Sequence, residues 1–564
     1  MAGPRARRRA TRDTGPIVRR TQLVLVAVAA GLALADSSIV ALALPPLLDE
    51  LDTTVTGVAA VIGVYTLVLA AGISPAAALA RRLGPGHVGA AGMLVFAAAS
   101  VGCAVAGDLA TLLVLRGVQA AGGAAALIAA FDLMDAGGSD ASLGRRLWIG
   151  AAVFGTAAGP AIGGALTDLL DWRAIFVAQA PVAAAAAAAC WGLRIPPPGA
   201  PASAPLRWRA AIALGAISAA LTAVLFLLVL ELVAGWSVDP LEAALAVSVL
   251  PLAALGASRI PGDPHVRAAC GCLLVAAGAA ALAHLPDARL AWTVGPQVLA
   301  GIGMGLAYPA LAGGMLPERT SADAERVLVA RHVGIVVALA ILAPVVSSQL
   351  DEVTASARYQ GVAVVLDAKM DPIAKIELAP ALLDGVDTQD PRGGLEAAVE
   401  AQRPRFEGDE RAAFERIAER VDDVIVAAVA EAFRPAYLIT GGLALLAALV
   451  LVLGARVRLA AIGATAAVAA AAVAGAVALD RERRPEPVVI ADPCHDRETP
   501  GSGGVLGFLQ DRALELLDRA ACEYGSTREE LVLALADDAE HERFKRVYGV
   551  DPRSARGILD GLFG

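Results

Sequence analysis

The chain has 564 residues, 57% of them hydrophobic and only 18% charged, more apolar than an ordinary soluble domain. Its net charge of −9 is concentrated in a few stretches, and no basic face with interleaved aromatics occurs, which excludes nucleic-acid binding. Lys369, Lys375 and Lys545 are the only lysines and none follows a glycine. A Gly-Lys-Ser/Thr phosphate loop is therefore absent, as are His-Glu-x-x-His, EF-hand and Cys-x-x-Cys motifs, and no metal or other cofactor is expected.

A run of about 20 apolar residues crosses the roughly 30 Å of bilayer hydrocarbon, and thirteen such runs follow one another along the chain. Residues 1–20 form a basic N-terminus with Arg5, Arg7, Arg8, Arg9, Arg12, Arg19 and Arg20. The apolar run after it is too long for a signal peptide and lacks a small-residue cleavage site. It is read as a retained first span, Gln22–Leu44, with the N-terminus in the cytoplasm. Residues 21–194 then hold a six-helix lobe, with further spans near 55–79, 88–106, 110–134, 147–168 and 174–193.

Charge inside these spans is informative, because a charged side chain in lipid is costly. Asp36, in the first span, must face a cavity, find a partner or bind a proton; a side chain bonded to the backbone is the structural alternative. Arg116, in the fourth span with Gln119, needs a cavity or a partner, or serves as a pin between helices. Asp132, near the end of that span, is expected to be a solvated interfacial carboxylate. In the fifth span Gly155, Gly159 and Gly163 recur every fourth residue and share one helix face, with Pro160 and Gly164 beside them. Small residues let another helix approach closely and proline kinks the span, which suits a pivot or plain packing.

Residues 195–209, opening IPPPGAPASAP, are a cytoplasmic linker. Residues 210–349 hold five more spans, near 210–233, 240–258, 267–284, 291–315 and 327–349. Glu231 and His332 fall near span ends. Cys270 and Cys272 read as small buried thiols, and Gly301, Gly303 and Gly305 as helix-packing glycines. Residues 350–434 are acidic, and Phe414, Ile417, Val421, Val424 and Ile425 recur at helical spacing, so a helical extracytoplasmic domain is expected there. A twelfth span covers 435–455 and a thirteenth 459–479. The tail, 480–564, has a linker at Pro485–Gly504 and helices at Val505–Ala521 and Thr527–Asp538. Ser526 with Glu529 fits a capping box there, and a last helix opens at Asp551-Pro552.

Basic residues alternate between the loops. Arg81 and Arg82, Arg145 and Arg146, Arg194, Arg207 and Arg209, Arg259 and Arg267, Arg319 and Arg326, and Arg456 and Arg458 fall on one side, the positive-inside pattern. An odd span count sends the tail outward. Cys494 and Cys522 are the only cysteines in polar segments, and disulfides persist in oxidising compartments; a bridge between them is expected, two free thiols on a cytoplasmic tail being the alternative.

Four stretches resemble the major facilitator superfamily, in particular its drug:proton antiporters. ADSSIVALALP, Ala35–Pro45, is similar to the family's first-span signature, with Asp36 and Pro45 matching, Ser38 for Thr and Ala41 for Asn. In LLVLRGVQAAGGAAA, Arg116, Gln119 and Gly122 fit Arg-x-x-Gln-Gly-x-Gly, with Ala120 in place of Gly. In GTAAGPAIGGALTD, Gly155, Gly159, Pro160, Gly163 and Gly164 match the antiporter run Gly-x-x-x-Gly-Pro-x-x-Gly-Gly. DWRAIFVAQAP, Asp171–Pro181, resembles the start of the family's sixth span. The gating loop between the second and third spans is degenerate: in AALARRLGP, Arg82 and Gly84 align, but Arg81 replaces the aspartate that helps latch the cytoplasmic gate.

The resemblance implies two six-helix lobes and secondary transport, here proton-coupled export of a small amphipathic compound across the inner membrane. Asp36, Arg116 and Gln119 would be the coupling or substrate residues. The expected partners are a small-molecule substrate, protons and lipid, with an extracytoplasmic partner through 350–434 and 480–564 also open. The rival is a transporter-derived scaffold presenting those two regions.

Overall fold

The computed structural model describes residues 16–136, 141–193, 195, 197, 207–316, 320–368, 370, 372–383, 390–453, 459–495 and 505–554. Arg5 to Arg12, Arg194, Arg319, Lys369, Arg456, Arg458, most of the 195–205 linker and the helix expected after Asp551-Pro552 lie outside them. Among the described residues every regular element is helical. The first lobe comprises α1 (Pro16–Ala41), the short α2 (Leu44–Glu50), α3 (Val55–Leu83), α4 (Pro85–Ala104), α5 (Leu109–Ala136), α6 (Ala141–Leu169) and α7 (Arg173–Gly192). The second begins with α8 (Trp208–Leu230), which widens into a π turn at Glu231–Gly235, then α9 (Pro240–Val247), α10 (Val249–Ala257), α11 (Pro264–Leu282), α12 (Leu290–Met315) and α13 (Ser321–Asp367). After α14 (Pro372–Leu383) and α15 (Pro391–Gln402), α16 (Gly408–Val452) completes it. Outside both lobes lie α17 (Leu459–Arg483) and the tail helices α18 (Val505–Tyr524), α19 (Arg528–Ala536) and α20 (Asp538–Tyr548).

Among the described residues twelve segments are long and apolar enough to cross a bilayer, α9 and α10 counting together, and α6 stands where the fifth span was expected. The protein is thus an all-α, multi-pass membrane protein. Glycines let these helices pack closely. A Cβ on Gly122 would lie 2.6 Å from the Gly92 carbonyl of α4, and one on Gly303 would lie 2.5 Å from the Gly271 carbonyl of α11, so the Gly301–Gly305 stretch serves packing. The lobes meet where α3 runs along α13 and α6 along α9.

The 350–434 region is not set off from the spans. α13 runs unbroken for 47 residues and α16 for 45, so the spans themselves extend beyond the bundle. α14 and α15 fill the space between their ends. Phe414, Ile417, Val421 and Ile425 turn inward, as their spacing predicts, to a core with Leu366, Leu378, Leu382 and Leu395. The result is a cap on one end of the bundle.

The tail packs on this cap. Arg528 is buried and pairs with Asp367 at 2.8 Å, Arg358 reaches Asp537 and Glu540 at 3.5 and 3.6 Å, and the Tyr359 hydroxyl donates to Glu540 at 3.1 Å. The capping box before α19 is Thr527 with Glu530, one residue later than expected; the Ser526 hydroxyl instead donates to the Ala521 carbonyl. The helix expected at Thr527–Asp538 is α19; Asp537 then caps α20, with its side chain accepting from the Ala539 and Glu540 amides, a further helix not expected from the sequence. α17 packs mainly on α11 and buries very little of its apolar window, which leaves its alanine-rich surface to lipid.

Candidate functional site

The first lobe encloses a polar cluster. Asp36 on α1, Arg116 and Gln119 on α5 and Gln179 on α7 are all buried. Arg116 Nη2 donates to Asp36 Oδ2 at 2.5 Å, and Nη1 to Gln119 Oε1 at 2.6 Å. Gln119 Nε2 donates to Gln179 Oε1 at 2.9 Å, and Gln179 Nε2 returns to Asp36 Oδ1 at 3.0 Å. The four side chains close a hydrogen-bonded ring. Ser100 on α4 accepts a second bond from Gln119 Nε2 at 2.8 Å, and Arg116 Nε donates to the Val61 carbonyl at 3.2 Å.

Two aromatic rings complete the enclosure. The Arg116 guanidinium lies 4.3 Å from the Tyr65 ring centroid and 5.6 Å from that of Phe176, a cation–π arrangement. The Tyr65 hydroxyl donates to the Ala33 carbonyl at 3.0 Å. A buried charge is tolerable when paired and hydrogen-bonded, and here Asp36 and Arg116 meet that need for each other. Sequence reasoning missed Gln179, Ser100 and Tyr65. Gln179 had a signal, a lone amide in the alanine-rich run after DWRAIF.

The glycines of α6 divide between two neighbours. A Cβ on Gly159 would strike Ser38, and one on Gly163 the Ile39 carbonyl, both on α1 in the same lobe. Gly164 faces the other lobe: a Cβ there would strike Ala244 and lie 2.7 Å from the Pro240 carbonyl of α9. Pro160 is buried within α6, and the surroundings of Gly155 lie outside the described residues.

At the other end of the bundle, Gly84 joins α3 to α4 with φ +87°, a conformation that glycine adopts without strain. Arg81 is half-buried and Arg82 exposed. Asp132 is buried, not solvated. The Ser321 hydroxyl, at the start of α13, donates to its Oδ1, while Oδ2 is buried without a hydrogen-bond partner among the described residues. The contact ties α5 of the first lobe to α13 of the second. In the tail, Cys494 and Cys522 are joined by a disulfide, with Cα atoms 5.0 Å apart.

Two helical lobes meeting along α3–α13 and α6–α9, with an ion pair sealed inside one of them, define a membrane transporter fold. A sequence model of the Major Facilitator Superfamily matches residues 26–316, just over half of the chain, and the protein belongs to that superfamily. It is 34% identical over 174 residues to the multidrug resistance protein Stp of Mycobacterium tuberculosis, covering 30% of this chain and 32% of Stp. It is 29% identical over 245 residues to the methylenomycin A resistance protein of Streptomyces coelicolor, covering 41% of this chain and 49% of that protein. The chain thus spans about a third to a half of the length of these relatives. The inward-facing, unoccupied crystal structure of a bacterial homologue of the human lysosomal transporter Spinster superposes with a TM-score of 0.54 at 16% identity, covering 79% of this chain and 100% of that one. At that identity the likeness bears on the fold alone.

Proposed function

We propose that the protein is a secondary transporter that exports a small amphipathic compound in exchange for protons, by rocking its two lobes about a site near the membrane midplane. The observation that carries this reading is the closed ring of Asp36, Arg116, Gln119 and Gln179. A proton reaching Asp36 would cancel its attraction for Arg116 and break the ring. The guanidinium and the two amides would then be free to re-pair, with a substrate or with the other lobe. The relatives' names, multidrug resistance and methylenomycin A resistance, support export and a drug-like cargo. Gly164 would be the pivot between lobes, with Gly159, Pro160 and Gly163 holding α6 to α1. The membrane would be the inner one, with the N-terminus cytoplasmic and the cap and tail outside. Proton flux into proteoliposomes, screened against a panel of amphipathic compounds, tests the reading: at least one compound should drive flux that Asp36→Asn abolishes.

The cap and tail support a second reading, a scaffold that presents these helices to a partner. Removing residues 485–564 separates the two, because transport should survive the loss of a display element.

A further inference from the structure

Glu231 is another carboxyl buried in the bundle, and its surroundings are the opposite of those of Asp36. It is 1% exposed and sits between Leu230 and Leu232, which are buried in the apolar core. Its only side-chain hydrogen bond among the described residues comes from Tyr437 of α16, whose hydroxyl donates to Oε2 at 2.7 Å. Two cations of α15 and α16, Arg392 and Arg434, are engaged elsewhere. Arg434 of α16 donates to the Ala283 carbonyl at 3.2 Å and reaches Asp480 at 3.4 Å. Arg392 of α15 binds Asp422 at 2.7 Å and the Trp236 carbonyl at 3.2 Å. On α9, Glu242 is exposed, as is Asp239 before it.

An ionised carboxylate in an apolar interior without a cation is far costlier than the neutral acid. Among the described residues Glu231 has no such cation beside it, whereas Asp36 has Arg116. The backbone also marks the position. Glu231 opens the π turn, with its carbonyl accepting from the Trp236 amide at 2.8 Å and the Leu232 carbonyl from the Val238 amide at 2.9 Å; such turns concentrate at functional sites. The cap sits directly on this turn. The Ser237 hydroxyl donates to Asp390 at 2.7 Å, and Arg392 holds the Trp236 carbonyl.

We propose that Glu231 is a proton-binding carboxyl of the second lobe, loaded while the cap is seated on Trp236 and Ser237 and unloaded when that end opens to water. On opening, the O–H bond of the acid breaks and the proton passes to water. The carboxylate left behind keeps the Tyr437 hydroxyl as its donor. What the released proton is used for rests on the export reading; the proton site itself does not.

Infrared spectroscopy of the full chain in lipid vesicles, titrated over pH, tests this. The wild type should show a protonated-carboxyl C=O band at neutral pH that shifts on exchange into deuterated water. Glu231→Gln, which keeps an acceptor for Tyr437, should lose the band, and Asp36→Asn should keep it. Tyr437→Phe should keep the band but move it to higher frequency, because a donor is lost. Arg392→Ala, which loosens the cap, should make the band disappear at lower pH than in wild type. A wild type without the band, or a band that survives Glu231→Gln, overturns the proton site and leaves the export reading standing. An unchanged titration in Arg392→Ala overturns control by the cap. Vesicles with the band but without proton flux for any compound of the panel would count against the export reading instead.

Discussion

Asp36 and Arg116 lie 80 residues apart in the chain and 2.5 Å apart in the fold, and neither side chain is exposed. Removing one partner of such a pair leaves the other charge buried and uncompensated, which costs about 3–5 kcal/mol. Asp36→Asn and Arg116→Gln should each lower the unfolding temperature markedly in detergent, and the double variant should be more stable than the sum of the two predicts. Strict additivity would mean that the two charges do not depend on each other.

The hydroxyl of Ser321 on Asp132 ties α13 of the second lobe to α5 of the first. Asp132 stands within electrostatic reach of Arg81, which the sequence resemblance aligns with the acid of the gating loop. Loosening this contact should favour separation of α13 from the first lobe. Leu328 is buried against first-lobe residues, so a Leu328→Cys reporter in a background without other cysteines measures the opening. Asp132→Ala should speed its maleimide labelling several-fold; an unchanged rate would show that the contact does not restrain the lobes.

Gly159 and Gly164 should fail differently. A side chain at Gly159 collides with Ser38 inside one lobe, so Gly159→Leu should reduce stability and expression along with turnover. A side chain at Gly164 collides with Ala244 and Pro240 of the opposing lobe. Gly164→Leu should leave the lobes folded but unable to close, losing turnover at near-normal stability. Equal thermal stability of the two variants would contradict the division of α6 between its neighbours.

Glu50 supplies a pH dependence outside the spans. Hydrogen bonds from Arg173, at 2.9 Å, and Trp172, at 2.5 Å, hold its carboxyl below the ordinary carboxylate value. The folded state thus favours the ionised form, so the contribution is present above the ordinary value and is lost as pH falls through the lowered one. The pair is partly solvent-exposed, which keeps the effect small. Wild type should unfold at a slightly higher temperature than Glu50→Gln at neutral pH, and the difference should vanish below the carboxylate range of about 4. A difference that persists in acid would point to packing instead.

The helices were legible because apolar runs of span length leave few alternatives, and each expected span coincides with a helix except 240–258, which is divided into α9 and α10. Where the helices end was less legible. Hydropathy falls near residue 350, where α13 leaves the apolar layer, yet the residues up to Asp367 still favour helix, so polarity marks the membrane surface and not the helix terminus. Asp36 and Arg116 could each be recognised as costly in lipid, but nothing local told that they relieve one another across 80 residues. Gln179 carries no charge to draw attention. Asp132 misled because its position near a span end suggested solvent, while the start of α13, distant in sequence, covers it.

The tail provides the sharpest test of topology. Thirteen spans would put the two termini on opposite sides of the membrane, and α17 is the span on which that count turns. It is apolar but buries little against the protein, so bilayer insertion has to come from its own composition. Arg481 and Arg483 in its last turn oppose an outward end under the positive-inside rule. The disulfide argues the other way, because a bridge between Cys494 and Cys522 persists only where the compartment is oxidising. Its partners are 28 residues apart, for which loop-closure entropy gives a stabilisation of about 3–4 kcal/mol. Cys522→Ser should therefore make the segment from Pro485 to Tyr524 susceptible to protease, while Arg528 on Asp367 and Arg358 on Asp537 keep α19 and α20 seated on the cap. On intact cells, an impermeant reductant followed by a mass-adding maleimide should label both cysteines. Labelling without reductant, and only after the membrane is opened, would place the tail in the cytoplasm, remove the bridge and reduce α17 to a helix that does not cross.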